Sequence, residues 1–291
     1  MSGTFVTVDE LPYDVVDVFT DRAYGGNPLA VVHDAEHLAG AQMQQIAREF
    51  NLSETVFVLP PSHRGATYRV RIFSPSQEIP FAGHPSIGAA VALLRRGRLR
   101  AGPVVMQCAA GLRALRVHAS GRAVLDGGAP VAGPAADPTA LLAAVGLSPA
   151  DLTGPEPKVV ECGLRFPYLA VTASAVARAH CPPPGSAGVV AVLHWDAAAR
   201  EAHARVFLPA YGVAEDAASG SAALGLGAWL LDAGLLPADG TSGYVVRQGA
   251  ELGRPSLLEC TVAAARGVLS AVTVGGHVAA VGTGAVVRPA Y

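Results

Sequence analysis

"EIPFAGHPSIGAAVALLRRGRL", Glu78 to Leu99, opens with a Gly-His-Pro turn and continues as an almost wholly apolar segment. Drawn as a helix, it has apolar residues on every side: Ile87, Val91 and Leu94 on one, Ala89, Ala90 and Leu93 on the others. A helix without a polar face must be buried, so a sheet has to wrap around it. Gly83 lets the backbone come close to whatever lies at the helix mouth. Pro85 suits the first helical turn, where its missing N–H costs nothing. Taken alone, the turn reads most simply as a helix cap with a packed histidine. A second copy of it changes that reading.

The copy lies 137 residues farther on. At this offset Gly83 falls on Gly220, Gly88 on Gly225, Leu93 and Leu94 on Leu230 and Leu231, Gly97 on Gly234 and Leu99 on Leu236. "RIFSP" (Arg71 to Pro75) answers "RVFLP" (Arg205 to Pro209), and "VVMQ" from Val104 answers "VVRQ" from Val245. The shared order is strand, loop, glycine turn, buried helix, strand, which is the signature of an internal duplication. His84 falls on Ser221. Each buried helix would direct its free N–H groups and the positive end of its dipole outwards. Two such ends facing each other make an anion site, and a carboxylate is its natural occupant.

Working outward, "YDVVDVF" (residues 13–19) alternates as a strand, and "GGNPLAVV" turns into a second one. Leu38 to Asn51 has Met43, Ile46, Ala47 and Phe50 at helical spacing. "SETVFVL" and "TYRVRIF" form an expected antiparallel pair, and "VVMQCA", "LRALRVH" and "RAVLDG" give three strands after the helix at 85–96. "DGGAPVAGPAADP" (Asp126 to Pro138) reads as the junction between lobes. The expected fold class is therefore α+β, with two pseudo-symmetric lobes, each a mostly antiparallel sheet curled around a central helix. The expected division is residues 1–127, completed by a C-terminal strand at about 280–291, and residues 128–279.

The composition fits this reading. A chain of 291 residues with 51% hydrophobic and 15% charged residues can bury a large core. A net charge of −2 and the lack of a basic stripe exclude a nucleic-acid binder; "RRGRLR" (Arg95 to Arg100) reads as a solvated helix end. No signal-peptide pattern and no run near the roughly 20 apolar residues of a membrane span is present, so a cytoplasmic protein is expected. Cys108, Cys162, Cys181 and Cys260 are far apart and the histidines lack ligand spacing, so neither a metal site nor a disulfide framework is expected.

Two acidic stretches remain. "NLSETVFVL" sets Glu54 against Val56, Phe57, Val58 and Leu59. It is either an exposed turn carboxylate or a carboxyl held in a partly apolar cleft, where a raised pKa suits proton transfer near neutral pH. "AYGVAEDAASGSA" (Ala210 to Ala222) carries Glu215 and Asp216 shortly before Ser221, and the residues alone do not say which faces a site. Ser221 lies in "SGSAA" rather than Gly-x-Ser-x-Gly, against a serine hydrolase.

"GNP" (Gly26 to Pro28), "QMQQIAREFNLSETVFV" (Gln42 to Val58), "RIFSPSQEIPFAGHPSIG" (Arg71 to Gly88), "FLPAYGVAEDAASGSAA" (Phe207 to Ala223) and "GAELGRPS" (Gly249 to Ser256) stand in this order across both halves. Together they resemble the PhzF-like family of phenazine-biosynthesis isomerases, within the diaminopimelate-epimerase-like fold; residues 127–200 carry little of the resemblance. It implies an acid/base glutamate at Glu54, a histidine at His84, an aspartate at Asp216, a substrate-binding serine at Ser221 and the helix-mouth glycines at Gly83 and Gly220. It also implies a small carboxylate substrate, no metal or organic cofactor, and a homodimer. Epimerases of this fold carry a cysteine at each helix turn; here His84 and Ser221 stand there, which disfavours a two-thiol racemase. The expected activity is a proton or double-bond shift on a small unsaturated amino- or imino-carboxylate, in antibiotic or phenazine-like metabolism. The alternatives are an epimerase using Glu54 or Asp216 with a second group, and a non-catalytic carboxylate-binding accessory protein.

Overall fold

Two buried helices organise the chain, whose computed structural model describes residues 9–183 and 188–290. The first half runs β1 (Glu10–Val18), β2 (Asn27–Val32), α1 (Gly40–Phe50), β3 (Glu54–Leu59), β4 (Tyr68–Phe73), β5 (Glu78–Ile79), α2 (Gly83–Arg95), β6 (Gly102–Cys108), β7 (Gly111–Val117) and β8 (Arg122–Asp126). The second runs β9 (Val131–Ala135), α3 (Pro138–Ala144), β10 (Lys158–Cys162), β11 (Leu164–Ala170), α4 (Ala173–Arg178), β12 (Val190–Asp196), β13 (Glu201–Leu208), β14 (Val213–Asp216), α5 (Gly220–Asp232), β15 (Gly240–Gln248), β16 (Ser256–Ala265) and β17 (Val268–Val287). The fold is α+β.

Strand pairing repeats between the halves. β1–β2 is antiparallel, β2–β3 parallel, β3–β4 antiparallel, β4–β6 parallel, and β6–β7–β8 antiparallel. In the same order, β10–β11 is antiparallel, β11–β12 parallel, β12–β13 antiparallel, β13–β15 parallel, and β15–β16–β17 antiparallel. Parallel neighbours need a crossover, and each crossover carries a helix: α1 and α2 in one half, α4 and α5 in the other. Side chains repeat too. Arg71 pairs with Glu78 at 2.6 Å and lies 5.1 Å over the Phe73 ring. Arg205 pairs with Glu215 at 2.6 Å and lies 5.0 Å over Phe207.

β17 joins the two halves and closes the first ring of strands. β17 pairs with β16 up to Gly275, with β8 over Thr273 to His277, and with β1 over Val278 to Val287. After β8 the chain passes Gly127 and Gly128 into β9, which pairs with β10. α2 packs against β1, β2, β3, β7, β8 and β17, and α5 against β9, β10, β11, β16 and β17. Ile87, Ala89, Ala90 and Val91 are fully buried, as are Leu224, Trp229 and Leu230. A buried leucine or isoleucine contributes about 1.5–3 kcal/mol relative to exposure. The amphipathic α1 instead covers the outer face of β3 and β4, burying Met43, Ile46 and Ala47 against Phe57 and Phe73.

Three local expectations change. The junction holds a strand, β9, because Lys158 and Val160 of β10 pair with Ala135 and Ala132. Its glycine belongs to that strand: a Cβ on Gly133 would lie 2.7 Å from the Val159 carbonyl. Two of the four "RRGRLR" arginines are ion-paired rather than merely solvated. Arg96 grips both oxygens of Asp14 at 2.7 and 2.8 Å, and Arg98 both oxygens of Asp34 at 2.6 and 2.8 Å. The second half also has α3 and α4 beside its one apolar helix. Among the described residues no helix is long and apolar enough to cross a membrane.

Candidate active site

The N-termini of α2 and α5 meet head to head. A Cβ on Gly83 would lie 3.1 Å from the Gly220 Cα, and one on Gly220 would lie 3.2 Å from the Gly83 Cα. The same positions are each 3.4 Å from the first-turn amide nitrogen of Ser221 or His84. Only glycine permits this approach, so the helix mouths share one patch of outward-facing N–H groups.

The parallel β2–β3 pairing delivers the proton-bearing groups to this patch. It sets Leu29 opposite Glu54, which brings Asn27 and Ser53 together; the Ser53 hydroxyl donates to Asn27 Oδ1 at 3.2 Å. Asn27 Nδ2 donates to Asp216 Oδ1 at 2.7 Å and to the Ala218 carbonyl at 2.9 Å, and lies 3.3 Å from His84 Nδ1. The other ring nitrogen of His84, Nε2, faces Glu54 Oε2 at 3.4 Å. No hydrogen bond joins them, and both atoms are buried without a partner. Leaving a buried polar group unsatisfied costs about 1–3 kcal/mol, so two such atoms side by side mark a place prepared for a ligand.

Glu54, His84, Asp216, Gly83, Gly220 and Ser221 all line one cavity of ≈ 90 Å³. These six residues therefore stand around one cavity. Of the two adjacent carboxylates, Glu215 turns away onto Arg205 at 2.6 and 2.9 Å, whereas Asp216 is buried at the cavity. No described cysteine lines the cavity. Two contributors had no assigned role. Asn27 lay within the quoted "GNP" without a function. Gln248 accepts from the Ser219 amide at 3.2 Å and donates to the Asp216 carbonyl at 2.7 Å, bracing the loop before α5. It ends the "VVRQ" copy, but its counterpart Gln107 is half-buried on β6 and bonds Ser62, so the repeat gave no hint of it.

The sequence matches the PhzC-PhzF family, described as phenazine biosynthesis-like protein, over residues 16–284. The chain belongs to this family. It is 36% identical over 296 residues to an uncharacterized isomerase of Mesorhizobium japonicum, covering 94% of this chain and 97% of that one. It is likewise 36% identical over 288 residues to trans-2,3-dihydro-3-hydroxyanthranilate isomerase of Pseudomonas aeruginosa, covering 94% and 98%. The crystal structure of a PhzF-family phenazine biosynthesis protein from Bacillus anthracis superposes with a TM-score of 0.86 at 24% identity, over 96% and 99% of the chains. A probable proline racemase from Agrobacterium radiobacter superposes with a TM-score of 0.68 at 14% identity, over 96% and 93%, so the two share a fold.

In this PhzF-family isomerase the environment separates three titrations. Burial, with the Asp216 charge adding to it, pushes the Glu54 carboxyl up to about 8, against a hydrogen bond from Ser53. Burial pushes Asp216 up to about 6, held back by hydrogen bonds from Asn27, the Ala218 amide, Ser219 and the Ala217 amide. Burial pushes His84 down to about 3. At neutral pH, then, Asp216 carries the negative charge, Glu54 mostly carries a proton, and His84 is neutral. A pair of carboxyls driven apart in this way is a common basis for acid/base division of labour. Among the described residues no group of His, Cys, Asp or Glu is arranged to hold a metal ion.

Proposed function

We propose that the chain is a cofactor-independent isomerase that shifts a proton, and with it a double bond, within a small unsaturated amino- or imino-carboxylate. The single observation that carries this reading is the pairing of the two touching helix mouths with one carboxyl, Glu54, whose pKa lies near operating pH. The first-turn amides of Gly83, His84, Gly220 and Ser221, with the Ser221 hydroxyl, grip the substrate carboxylate. Ionised Glu54 takes a proton from one carbon of the conjugated system and returns it to another on the same face, so no net proton is consumed. His84 donates from Nε2 towards the charge that develops. Asp216 holds the site's remaining negative charge and, by repulsion, keeps Glu54 basic enough to accept a proton.

An epimerase needs a proton carrier on each face of the carbon. At the position equivalent to His84 the second helix mouth offers Ser221, whose hydroxyl is too weak a base without an activating partner. The name of the Pseudomonas aeruginosa relative points to a cyclic amino acid of the dihydroanthranilate class, and this chain is proposed to act on that class in phenazine-like or antibiotic metabolism. The pseudo-symmetric division into residues 1–127 with the C-terminal strand and 128–279, and a homodimeric assembly in the cytoplasm, belong to the same proposal. The test is turnover of trans-2,3-dihydro-3-hydroxyanthranilate and related acids in deuterated water. Hydrogen gained at a carbon remote from the one deprotonated, carrying solvent label to the extent that Glu54 exchanges its proton, supports isomerisation. Label with inversion at one carbon shows epimerisation, and turnover by Glu54→Gln near the wild-type rate removes Glu54 from its role.

A further inference from the structure

The cavity at the helix mouths measures ≈ 90 Å³, less than the about 150 Å³ of a cavity that takes up benzene. Beside it runs a groove of ≈ 720 Å³ between the two halves. Cavity and groove share four wall residues: Ile79 and Phe81 from the β5–α2 connection, and Gly163 and Leu164 from the β10–β11 turn. Phe81 is the bulkiest of these, half-buried and two residues ahead of Gly83. Its ring faces Gly163: a Cβ there would lie 3.7 Å from Phe81 Cδ1 and 3.9 Å from Ser221 Oγ. The Arg113 guanidinium covers the ring from the groove side, 5.1 Å from its centre. Arg113 makes no ion pair with any described carboxylate, and its one hydrogen bond goes to the neighbouring Leu112 carbonyl.

We propose that Phe81, held by Arg113, sets the size of the acid this enzyme accepts, and that the groove is the outer part of the substrate site, taking the end of the molecule farthest from the carboxylate. The cation over the ring face fixes the wall without committing the charge to a partner. When the ring swings aside, cavity and groove become one space, and Arg113 is left as a free donor for a polar or anionic substituent. An acid small enough to remain behind the ring never meets this wall. Broader acids bind only by displacing it, and the loss of a bulky wall residue changes selectivity between substrates by about ten- to a few hundred-fold.

This inference rests on the helix mouths being the carboxylate seat, and the experiment separates the two ideas. Binding of acetate, benzoate and 2-naphthoate to the full chain is measured by calorimetry for wild type, Phe81→Ala, Phe81→Leu, Arg113→Leu and Ser221→Ala. Phe81→Ala should tighten 2-naphthoate at least tenfold and leave acetate within twofold, with Phe81→Leu in between. Arg113→Leu, which frees the ring without removing it, should tighten 2-naphthoate two- to fivefold. Near-ultraviolet circular dichroism checks the fold of each variant. An equal shift for all three acids, or no shift, overturns the proposal. If Ser221→Ala leaves acetate binding intact while Phe81→Ala still sorts the acids by size, the carboxylate seat is misplaced and the wall stands. Absence of binding by all three acids to every variant overturns both.

Discussion

Glu54→Gln should stabilise the protein while abolishing its chemistry, and the stabilisation should grow with pH. The structure moves the Glu54 carboxyl from 4.5 to about 8, chiefly by burial. A group raised in this way binds its proton more tightly when folded. Its contribution to stability is therefore complete below the unfolded value of 4.5 and is lost as pH rises through 8. At about 1.4 kcal/mol per pH unit, the full displacement bounds the effect at roughly 5 kcal/mol. Relaxation and water in the cleft reduce it, so between pH 5.5 and 8.5 the variant should gain about 2–3 kcal/mol on the wild type. The amide of the variant cannot ionise, and the groups common to both proteins largely cancel. Urea unfolding of both proteins at pH 5.5, 7.0 and 8.5 measures the gap. A gap that stays constant across this range would refute the buried, proton-holding Glu54. Turnover by the variant should fall by about 10²–10⁴-fold or more.

Asp216→Asn removes the charge that adds to the rise of Glu54, so the rise of kcat/KM with pH should move from near 8 to lower pH; an unmoved profile would show that the two carboxyls do not communicate. In Gly83→Ala the new methyl meets backbone, the Gly220 Cα at 3.1 Å, which cannot rotate away. The mouths must part by a few tenths of an ångström, costing about 1–3 kcal/mol by urea unfolding, and small carboxylates should bind at least tenfold more weakly; wild-type affinity would mean the contact is not part of the seat. Asn27→Ala leaves Asp216 Oδ1 with one hydrogen bond fewer. Asp216 should then titrate above about 6 in carbon-detected NMR, and a lower value would contradict the network.

The buried helices were legible because an all-round apolar pattern has one physical solution, and the offset from Gly83 to Gly220 exposed the repeat. Glu54 was legible as a carboxyl whose place beside an apolar strand demands a reason. Asp216 was separated from Glu215 only by resemblance, and the structure supplies the cause: Arg205, equivalent to Arg71, claims Glu215 as Arg71 claims Glu78. β9 was hidden because a strand held by pairing with β10, with most of its residues exposed, needs no apolar alternation, and its Gly and Pro read as a junction between lobes. Asn27 and Gln248 were hidden for a different reason. Their partners lie 189 and 32 residues away in sequence, and a side-chain amide has no periodic signature.

The central claim is that two helix mouths hold a carboxylate beside a single proton carrier. A crystal structure with crotonate, a small unsaturated acid, tests it most directly. The account predicts carboxylate oxygens about 2.7–3.2 Å from the first-turn amides of α2 and α5, with Glu54 over the carbon chain on one face. Crotonate bound away from both mouths, or Glu54 turned from it into bulk water, would contradict it.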